Sequence, residues 1–193
     1  MEALDPKLVE RARKGDKEAY GAIYKFYLSR IYRFALYLVN DEALAEDLTQ
    51  EAFIKTWNYL PRFDNKKGTV QALLFTTTRN LVIDYQRKRK EERIPEDGES
   101  FLSGSDDVAE SYVSSEQMES VRKSLSILPK GDREVIILRY FEDMNFTEIA
   151  GVVGKEEGAL RVQVHRALKI LKNKLLASES REVLSPRSEP SSR

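Results

Sequence analysis

The sequence predicts an all-α protein of two small helical domains joined by a flexible acidic linker, the second domain containing a helix-turn-helix. Apolar residues recur at helical spacing through most of the chain, which indicates amphipathic helices. Residues that start and stop helices separate these stretches. A long acidic stretch rich in Gly and Ser interrupts them. We therefore place an N-terminal domain at residues 5–93, a linker at 94–115, a C-terminal domain at 116–177 and a disordered tail at 178–193.

The first two helices are predicted from their caps. Asp5 can cap a helix that begins at Pro6, where the missing N–H of proline costs nothing. Gly15 ends that helix, and Asp16 caps the next one, whose apolar residues hold helical spacing over residues 18–39.

The third helix, predicted over residues 42–60, has an acidic face beside two aromatic residues. These residues are Glu46, Asp47, Gln50, Phe53 and Trp57. One interpretation is a solvated acidic side, with both rings in the core of the domain. The other is a partner surface that offers arginines, which would explain both the acidic row and the two large rings next to it.

A basic loop and the helix after it predict a surface for single-stranded nucleic acid. The loop, at residues 62–69, contains Asn65, Lys66 and Lys67, and the helix runs from about Val70 to Arg93. The polar positions of this helix include Arg79, Asn80, Asp84, Arg87 and Lys88. The aromatic residues nearby are Phe63, Phe75 and Tyr85. Rings that stack on bases, beside cations that bind phosphates, are what a single strand requires.

Charge is distributed in blocks, although the whole chain has 32 basic and 32 acidic residues and no net charge. Residues 79–93 hold six basic and three acidic residues, and residues 155–174 hold six and two. Residues 94–120, between them, contain eight acidic residues and no basic one. This pattern predicts two basic surfaces separated by an acidic spacer.

A helix-turn-helix is predicted in the C-terminal domain. Asn145 can cap a helix, and Glu148 stands three residues later, which is the offset of a capping box. Gly154 is a natural stop because glycine adopts the left-handed conformation without a Cβ penalty. A second helix begins within a few residues, and in this motif the second helix enters the major groove of DNA.

The second helix of this motif has one apolar stripe and a basic side. The stripe consists of Leu160, Val164, Ala167, Leu168, Leu171 and Leu175, and off it lie Arg161, Gln163, His165, Arg166, Lys169 and Lys172. An ordinary amphipathic surface helix would show the same pattern, but the capped helix and glycine turn before it favour DNA binding. We expect Arg161 to contact a base edge, and Arg166 and Lys169 to contact phosphates. His165 could contact either.

Several classes of protein are excluded or disfavoured. The chain contains no cysteine, so it has no disulfide and no thiolate metal site. His165 is its single histidine, and it contains no phosphate-binding loop or dinucleotide-binding glycine pattern. A phosphodiester-cleaving enzyme would need an acidic metal cluster, whereas the acidic residues near the basic helix are spaced as helix-surface pairs. We expect a cytoplasmic protein without catalysis, cofactor, metal or membrane insertion.

Three motifs in order resemble the extracytoplasmic-function (ECF) sigma factors, the small two-domain members of the bacterial sigma-70 family. They are residues 45–57, residues 78–87, and Leu128-Pro129 with the helix-turn-helix that follows. The resemblance spans residues 8–176 and implies an initiation subunit that binds core RNA polymerase, directs it to promoters and melts them. It also implies a role in a stress or envelope response, and an anti-sigma protein is a frequent partner in this family.

The resemblance implies a role for each matching position. Those matching the helix that docks on the clamp of the largest polymerase subunit are Glu46, Asp47, Gln50, Phe53 and Trp57. The polymerase flap is expected as a second contact. Those matching the surface for the minus-ten element are Asn65, Lys66 and Lys67, at the flipped base, and Arg79, Asn80, Asp84, Arg87 and Lys88, along the melted strand. Those on the helix for the minus-thirty-five element are Arg161, Gln163, His165, Arg166 and Lys169.

An alternative is a helix-turn-helix transcriptional regulator whose N-terminal domain dimerises or senses a ligand. A simple repressor, however, has no use for the motifs at residues 46–57 and 79–87. These two motifs therefore favour the sigma factor.

Overall fold

The computed structural model describes residues 4–65, 68–92 and 116–183, and within these ranges the regular elements are helices. The α-helices are α1 (Pro6–Arg13), α2 (Lys17–Val39), α3 (Glu42–Tyr59), α4 (Val70–Glu92), α5 (Glu116–Ser126), α6 (Lys130–Ile136), α7 (Phe146–Val153) and α8 (Glu157–Val183). A 3-10 turn at Leu60–Arg62 follows α3, and a π-helical turn at Ile137–Phe141 continues α6. The all-α fold class is confirmed.

The predicted helix starts in the N-terminal half are confirmed by their caps. The Asp5 side chain accepts a hydrogen bond from the backbone N–H of Lys7. Asp16 caps α2 by accepting from the N–H groups of Glu18 and Ala19, each at 3.0 Å. The break between α2 and α3 is made by Asn40, which is left-handed with φ of 57°.

Helices α1 to α4 pack around an aromatic and aliphatic core. Phe34 of α2 and Phe75 of α4 are fully buried, and their ring centroids lie 5.0 Å apart in an edge-on arrangement. Ile23, Ile31 and Leu74 are fully buried around them. This core fixes which sides of α3 and α4 face outward.

Helix α8 runs further than the sequence indicates. We expect a disordered tail from residue 178, whereas the helix continues to Val183. Residues 178–185 contain neither Gly nor Pro, so no residue in this stretch stops helix propagation before Pro186. The rest of the predicted tail, residues 184–193, lies outside the described residues.

The N-terminal half (residues 4–92) and the C-terminal half (residues 116–183) contact each other, with α4 packed against α7. Arg30 binds the buried carboxylate of Glu142 at 2.6 Å, and the Gln71 side chain donates to the Glu142 carbonyl at 3.1 Å. Arg133 donates to the carbonyl of Tyr37 at 3.1 Å. Most of the buried apolar residues of both halves form one cluster. The predicted linker at 94–115 lies outside the described residues, and independent movement of two domains stays a prediction.

Candidate nucleic-acid and protein interfaces

The helix-turn-helix is formed by α7, a turn and α8, as the capping pattern predicts. The Asn145 side chain accepts from the Glu148 N–H, and the Glu148 side chain accepts from the Asn145 N–H, both at 2.9 Å. Gly154 ends α7 with φ of 73°. The Thr147 hydroxyl donates to the Glu157 carboxylate at 2.6 Å, which ties the start of α7 to the start of α8.

Helix α8 buries the predicted stripe at Leu160, Val164 and Ala167. Two assignments on this helix are wrong. Gln163, expected on the exposed side, is buried because this side of α8 packs near Gly131 of α6. Its side-chain oxygen accepts a hydrogen bond from Lys155 at 3.0 Å. Leu168, expected in the stripe, is 40% exposed because it lies at the edge of the packed side.

Arg161 is exposed at the start of α8 and is held by two neighbours. Its guanidinium lies over the ring of Phe146, 4.5 Å from the centroid, which is cation–π geometry. The Glu157 carboxylate lies 3.4 Å from its Nη2 atom. The sequence places Arg161 correctly on the open side of the helix, but neither neighbour follows from the helical pattern.

Arg166 makes a forked ion pair with Asp132 of α6. Its Nε and Nη2 atoms donate to the two carboxylate oxygens at 3.1 and 2.6 Å. The Asp132 side chain is 2% exposed, whereas that of Arg166 is 63% exposed. The carboxylate raises the pKa of Arg166 above its ordinary value.

Three further side chains of α8 are open to solvent. His165 and Lys169 are exposed, as expected for a DNA-facing side. Val162 lies between them and Arg161 and is 70% exposed, the highest value among the large apolar side chains in the described part of the chain. The helical spacing places Val162 off the apolar stripe at Leu160 and Val164. Valine, however, is not a residue type that by itself indicates DNA binding.

The residues assigned to the melted strand lie along α4. Asn80, Asp84, Arg87 and Lys88 are exposed, and Arg87 pairs with Asp84 at 3.2 Å. Asn65 is exposed at the end of the described loop, whereas Lys66 and Lys67 lie outside the described residues.

Arg79 differs from its neighbours on α4, because it reaches the C-terminal half. Its Nε atom donates to the buried carboxylate of Glu134 at 2.5 Å. Burial raises the pKa of Glu134 above its ordinary value, and the charge of Arg79 offsets this only in part. In this structure the Arg79 side chain is therefore engaged within the protein.

Two of the three rings expected to stack on bases are core residues. Phe63 is 8% exposed, and Phe75 is fully buried against Phe34. Tyr85 is partly exposed. The expectation is wrong for Phe63 and Phe75, because proximity in sequence to the basic track did not show which side of the backbone each ring occupies.

The acidic face of α3 is exposed at Glu46, Asp47 and Gln50. Phe53 is 3% exposed, with its ring 4.6 Å from that of Tyr24, so it belongs to the core of the N-terminal half. The prediction that the rings of Phe53 and Trp57 both lie on a partner surface is thus wrong for Phe53, because Phe53 faces α2.

Trp57 and Ile54 are the apolar side chains that remain beside the acidic face of α3. Trp57 is partly exposed and packs on Tyr20 at 4.8 Å between centroids. Ile54, which sequence analysis missed, is 61% exposed. Its place four residues after Gln50 and seven after Asp47 is the signal that could have found it.

The described residues contain no cluster of His, Asp or Glu side chains that could hold a metal ion. No helix in these ranges combines the length and the apolar character that crossing a membrane requires.

Two protein-family models match the chain, one in each half. Residues 23–92 match Sigma-70 region 2, and residues 118–171 match Sigma-70, region 4. The first match contains the exposed faces of α3 and α4, and the second contains the helix-turn-helix.

Curated relatives and solved structures agree with these matches. The chain is 32% identical over 181 residues to the ECF RNA polymerase sigma factor BldN of Streptomyces coelicolor, covering 91% of this chain and 67% of that protein. It is 33% identical over 153 residues to the ECF RNA polymerase sigma factor SigM of Bacillus subtilis, covering 78% and 91%. The sigma factor RpoE of Bartonella quintana, solved with the anti-sigma factor NepR, superposes with a TM-score of 0.66 at 28% identity, covering 81% of this chain and 96% of that one. Since both halves match in the same order, the chain belongs to the extracytoplasmic-function sigma factors of the sigma-70 family.

Proposed function

We propose that this sigma factor binds core RNA polymerase through α3, holds the melted minus-ten strand on α4 and places α8 on the minus-thirty-five element. The observation that supports this most is the pairing of an exposed acidic face in the region 2 match with a capped helix-turn-helix in the region 4 match. It acts in the cytoplasm, where the polymerase is, and without catalysis of its own.

The polymerase surface consists of Glu46, Asp47 and Gln50, with Ile54 and Trp57 as its apolar members. Carboxylates on this face suit an arginine-bearing partner surface, and apolar side chains in the middle of such a contact supply most of its binding energy. Phe53 supports this surface from below, because it holds α3 against α2. The flap of the polymerase is the proposed contact of the C-terminal half.

The minus-ten surface consists of the exposed residues of α4, together with the loop that contains Asn65, Lys66 and Lys67. Arg87 and Lys88 lie near the end of α4, where cations can follow a phosphate backbone. Arg79 contributes to this surface the N–H groups of its guanidinium that do not donate to Glu134.

The minus-thirty-five surface consists of Arg161, His165, Arg166 and Lys169 on α8. Arg161 lies in the first turns of the helix, the part that meets base edges in helix-turn-helix proteins. Arg166 and Lys169 lie further along and meet phosphates. Gln163, which is buried, supports the helix from behind and makes no base contact.

An anti-sigma protein is the further partner that we propose. RpoE of Bartonella quintana was solved in complex with an anti-sigma factor, and this chain resembles it over 81% of its length. A stress or envelope response is the proposed setting.

Transcription in vitro tests the proposed function. Purified bacterial core polymerase is mixed with genomic DNA fragments, with and without this chain, and transcript starts are mapped. We expect promoter-dependent transcripts only when the chain is present, and Asp47→Lys should abolish most of them by reversing a charge at the polymerase surface. Repression without new transcripts would instead support the helix-turn-helix regulator.

A further inference from the structure

We propose that Asp132 is a positioning residue for DNA binding, which holds the guanidinium of Arg166 in one orientation so that its free edge meets a backbone phosphate. The inference rests on the proposed function, because it requires α8 to lie against DNA. It adds a residue outside the recognition helix, on α6, to the DNA-binding apparatus.

The geometry of the pair defines the orientation of the guanidinium. Two N–H groups of Arg166 donate to the two oxygens of Asp132, at 3.1 and 2.6 Å. A forked pair of this kind fixes the plane of the guanidinium as well as its distance, which a single contact from a lysine could not do. The carboxylate itself is buried, with its side chain 2% exposed, where α6 packs against α8.

The exposure of the two partners points to a role beyond stability. A pair that only joins α6 to α8 has no need to project a cation outward, yet the Arg166 side chain is 63% exposed. The fork uses two of the five N–H donors of arginine, which leaves Nη1 and the outer side of Nη2 for another acceptor. Arg166 lies three residues before Lys169 and next to His165, on the open side of α8. A phosphate on this side would meet donors already in place.

Preorganisation predicts the sign of a mutational effect. Replacing Asp132 by Asn removes a negative charge near the DNA, and simple electrostatics would then strengthen binding. If Asp132 positions Arg166, binding weakens instead, because the long side chain must be immobilised when DNA binds. Ordering one such side chain corresponds to about a two- to tenfold change in affinity.

The test measures binding of the full-length chain to a short mixed-sequence DNA duplex over a series of KCl concentrations. We expect Asp132→Asn to weaken binding about two- to tenfold, and this loss to disappear when Arg166→Ala is also present. Glu156→Gln is the matched control, since it removes an exposed carboxylate near the start of α8 and should strengthen binding slightly. Arg166→Lys keeps the charge and leaves Asp132 in place, and it should weaken binding about as much as Asp132→Asn.

Three outcomes would overturn the proposal while leaving the proposed function intact. Asp132→Asn could bind as tightly as the natural chain or more tightly. The loss of DNA affinity caused by Asp132→Asn could persist undiminished in the Arg166→Ala background, which would show that Asp132 acts only through the fold. Arg166→Lys, whose folding is checked by thermal unfolding, could bind as tightly as the natural chain. Failure of the natural chain to bind the duplex at low salt would contradict the proposed function, and the inference with it.

Discussion

Single residues on α3 divide between the protein core and the proposed polymerase surface. Phe53 and Ile54 are adjacent in sequence, yet Phe53 is 3% exposed and Ile54 is 61% exposed. A helix turns by about 100° per residue, so neighbours in sequence can face the core and the solvent. Ile54 lies with Gln50 and Asp47 on the open side, where a partner can cover it.

Alanine substitutions at these two positions should separate folding from binding. Phe53→Ala should lower the free energy of unfolding by about 3–5 kcal/mol, the range for removing a buried ring. Ile54→Ala should change it by less than about 0.5 kcal/mol, yet weaken binding to core polymerase by about 1–2 kcal/mol. Denaturant unfolding and a core-binding assay give the two quantities. If Ile54→Ala binds core polymerase normally, Ile54 is not part of the interface.

Arg161 and Lys169 should have different effects on DNA binding, because one is assigned to a base and the other to a phosphate. Arg161→Ala should lose about 1–3 kcal/mol of discrimination at one or two upstream positions. Lys169→Ala should weaken all sequences about equally and reduce the salt slope by about one. Binding of the full-length chain to single-base variants at two salt concentrations distinguishes them. A uniform loss for Arg161→Ala, with an unchanged base profile, would make Arg161 a phosphate contact.

The helix-turn-helix as an element depends on one left-handed residue. Gly154 has φ of 73°, a conformation that costs residues with a Cβ about 1–2 kcal/mol. No heavy atom lies within 4 Å of a Cβ built at Gly154 or at Gly151, so steric clash is absent at both positions. Gly151 lies within α7, however, where the backbone is helical.

Alanine at the two glycines should therefore have opposite effects. Gly154→Ala should lower the free energy of unfolding by about 1 kcal/mol or more, because alanine is strained at this φ. Gly151→Ala should raise it by about 0.5–1 kcal/mol, because alanine favours a helix interior. Denaturant unfolding of the full chain measures both. Equal effects of the two substitutions would rule out strain at the turn as the cause.

At the scale of the whole molecule, buried carboxylates of the C-terminal half bind arginines of the N-terminal half. Glu142 pairs with Arg30, and Glu134 pairs with Arg79. Burial raises the pKa of both carboxyl groups. Arg79 therefore links the proposed minus-ten surface of α4 to the C-terminal half.

The substitution Glu134→Gln should show the raised pKa of Glu134 as a pH-dependent difference in the free energy of unfolding between the variant and the natural chain. A carboxyl group whose pKa is higher in the folded than in the unfolded protein contributes its full stabilisation at pH values below the unfolded-state pKa. This contribution is lost as the pH rises through the folded-state pKa. The ordinary pKa of a glutamate side chain, from which that of Glu134 is raised, is 4.5. The free energy of unfolding of Glu134→Gln, relative to the natural chain, should therefore increase as the pH rises from about 4 to 7. A difference that is constant over this range would contradict the raised pKa.

Limited proteolysis tests the division of the chain. The composition of residues 94–115, which is acidic and poor in apolar residues, predicts cleavage within that stretch. Because the two halves share one apolar cluster, the fragments should still co-elute after the cut. First cleavage within residues 18–60 would contradict the domain boundary. Fragments that separate at once would show that the contacts between the halves are weak.

Local features determined what the sequence could predict, whereas contacts between distant elements decided the rest. Caps and helical periodicity act within a few residues, and for this reason Asn145, Glu148 and Gly154 were sufficient to predict the helix-turn-helix. The partner of Arg79 lies 55 residues away on α6, and that of Arg166 lies 34 residues away, also on α6. Only the tertiary packing of these helices brings the partners together. Packing of α8 against α6 buries Gln163, and packing of α3 and α4 against α2 buries Phe53 and Phe75. Nearby residues determine whether a segment forms a helix, but the exposure of each side chain depends on which other helices pack against it.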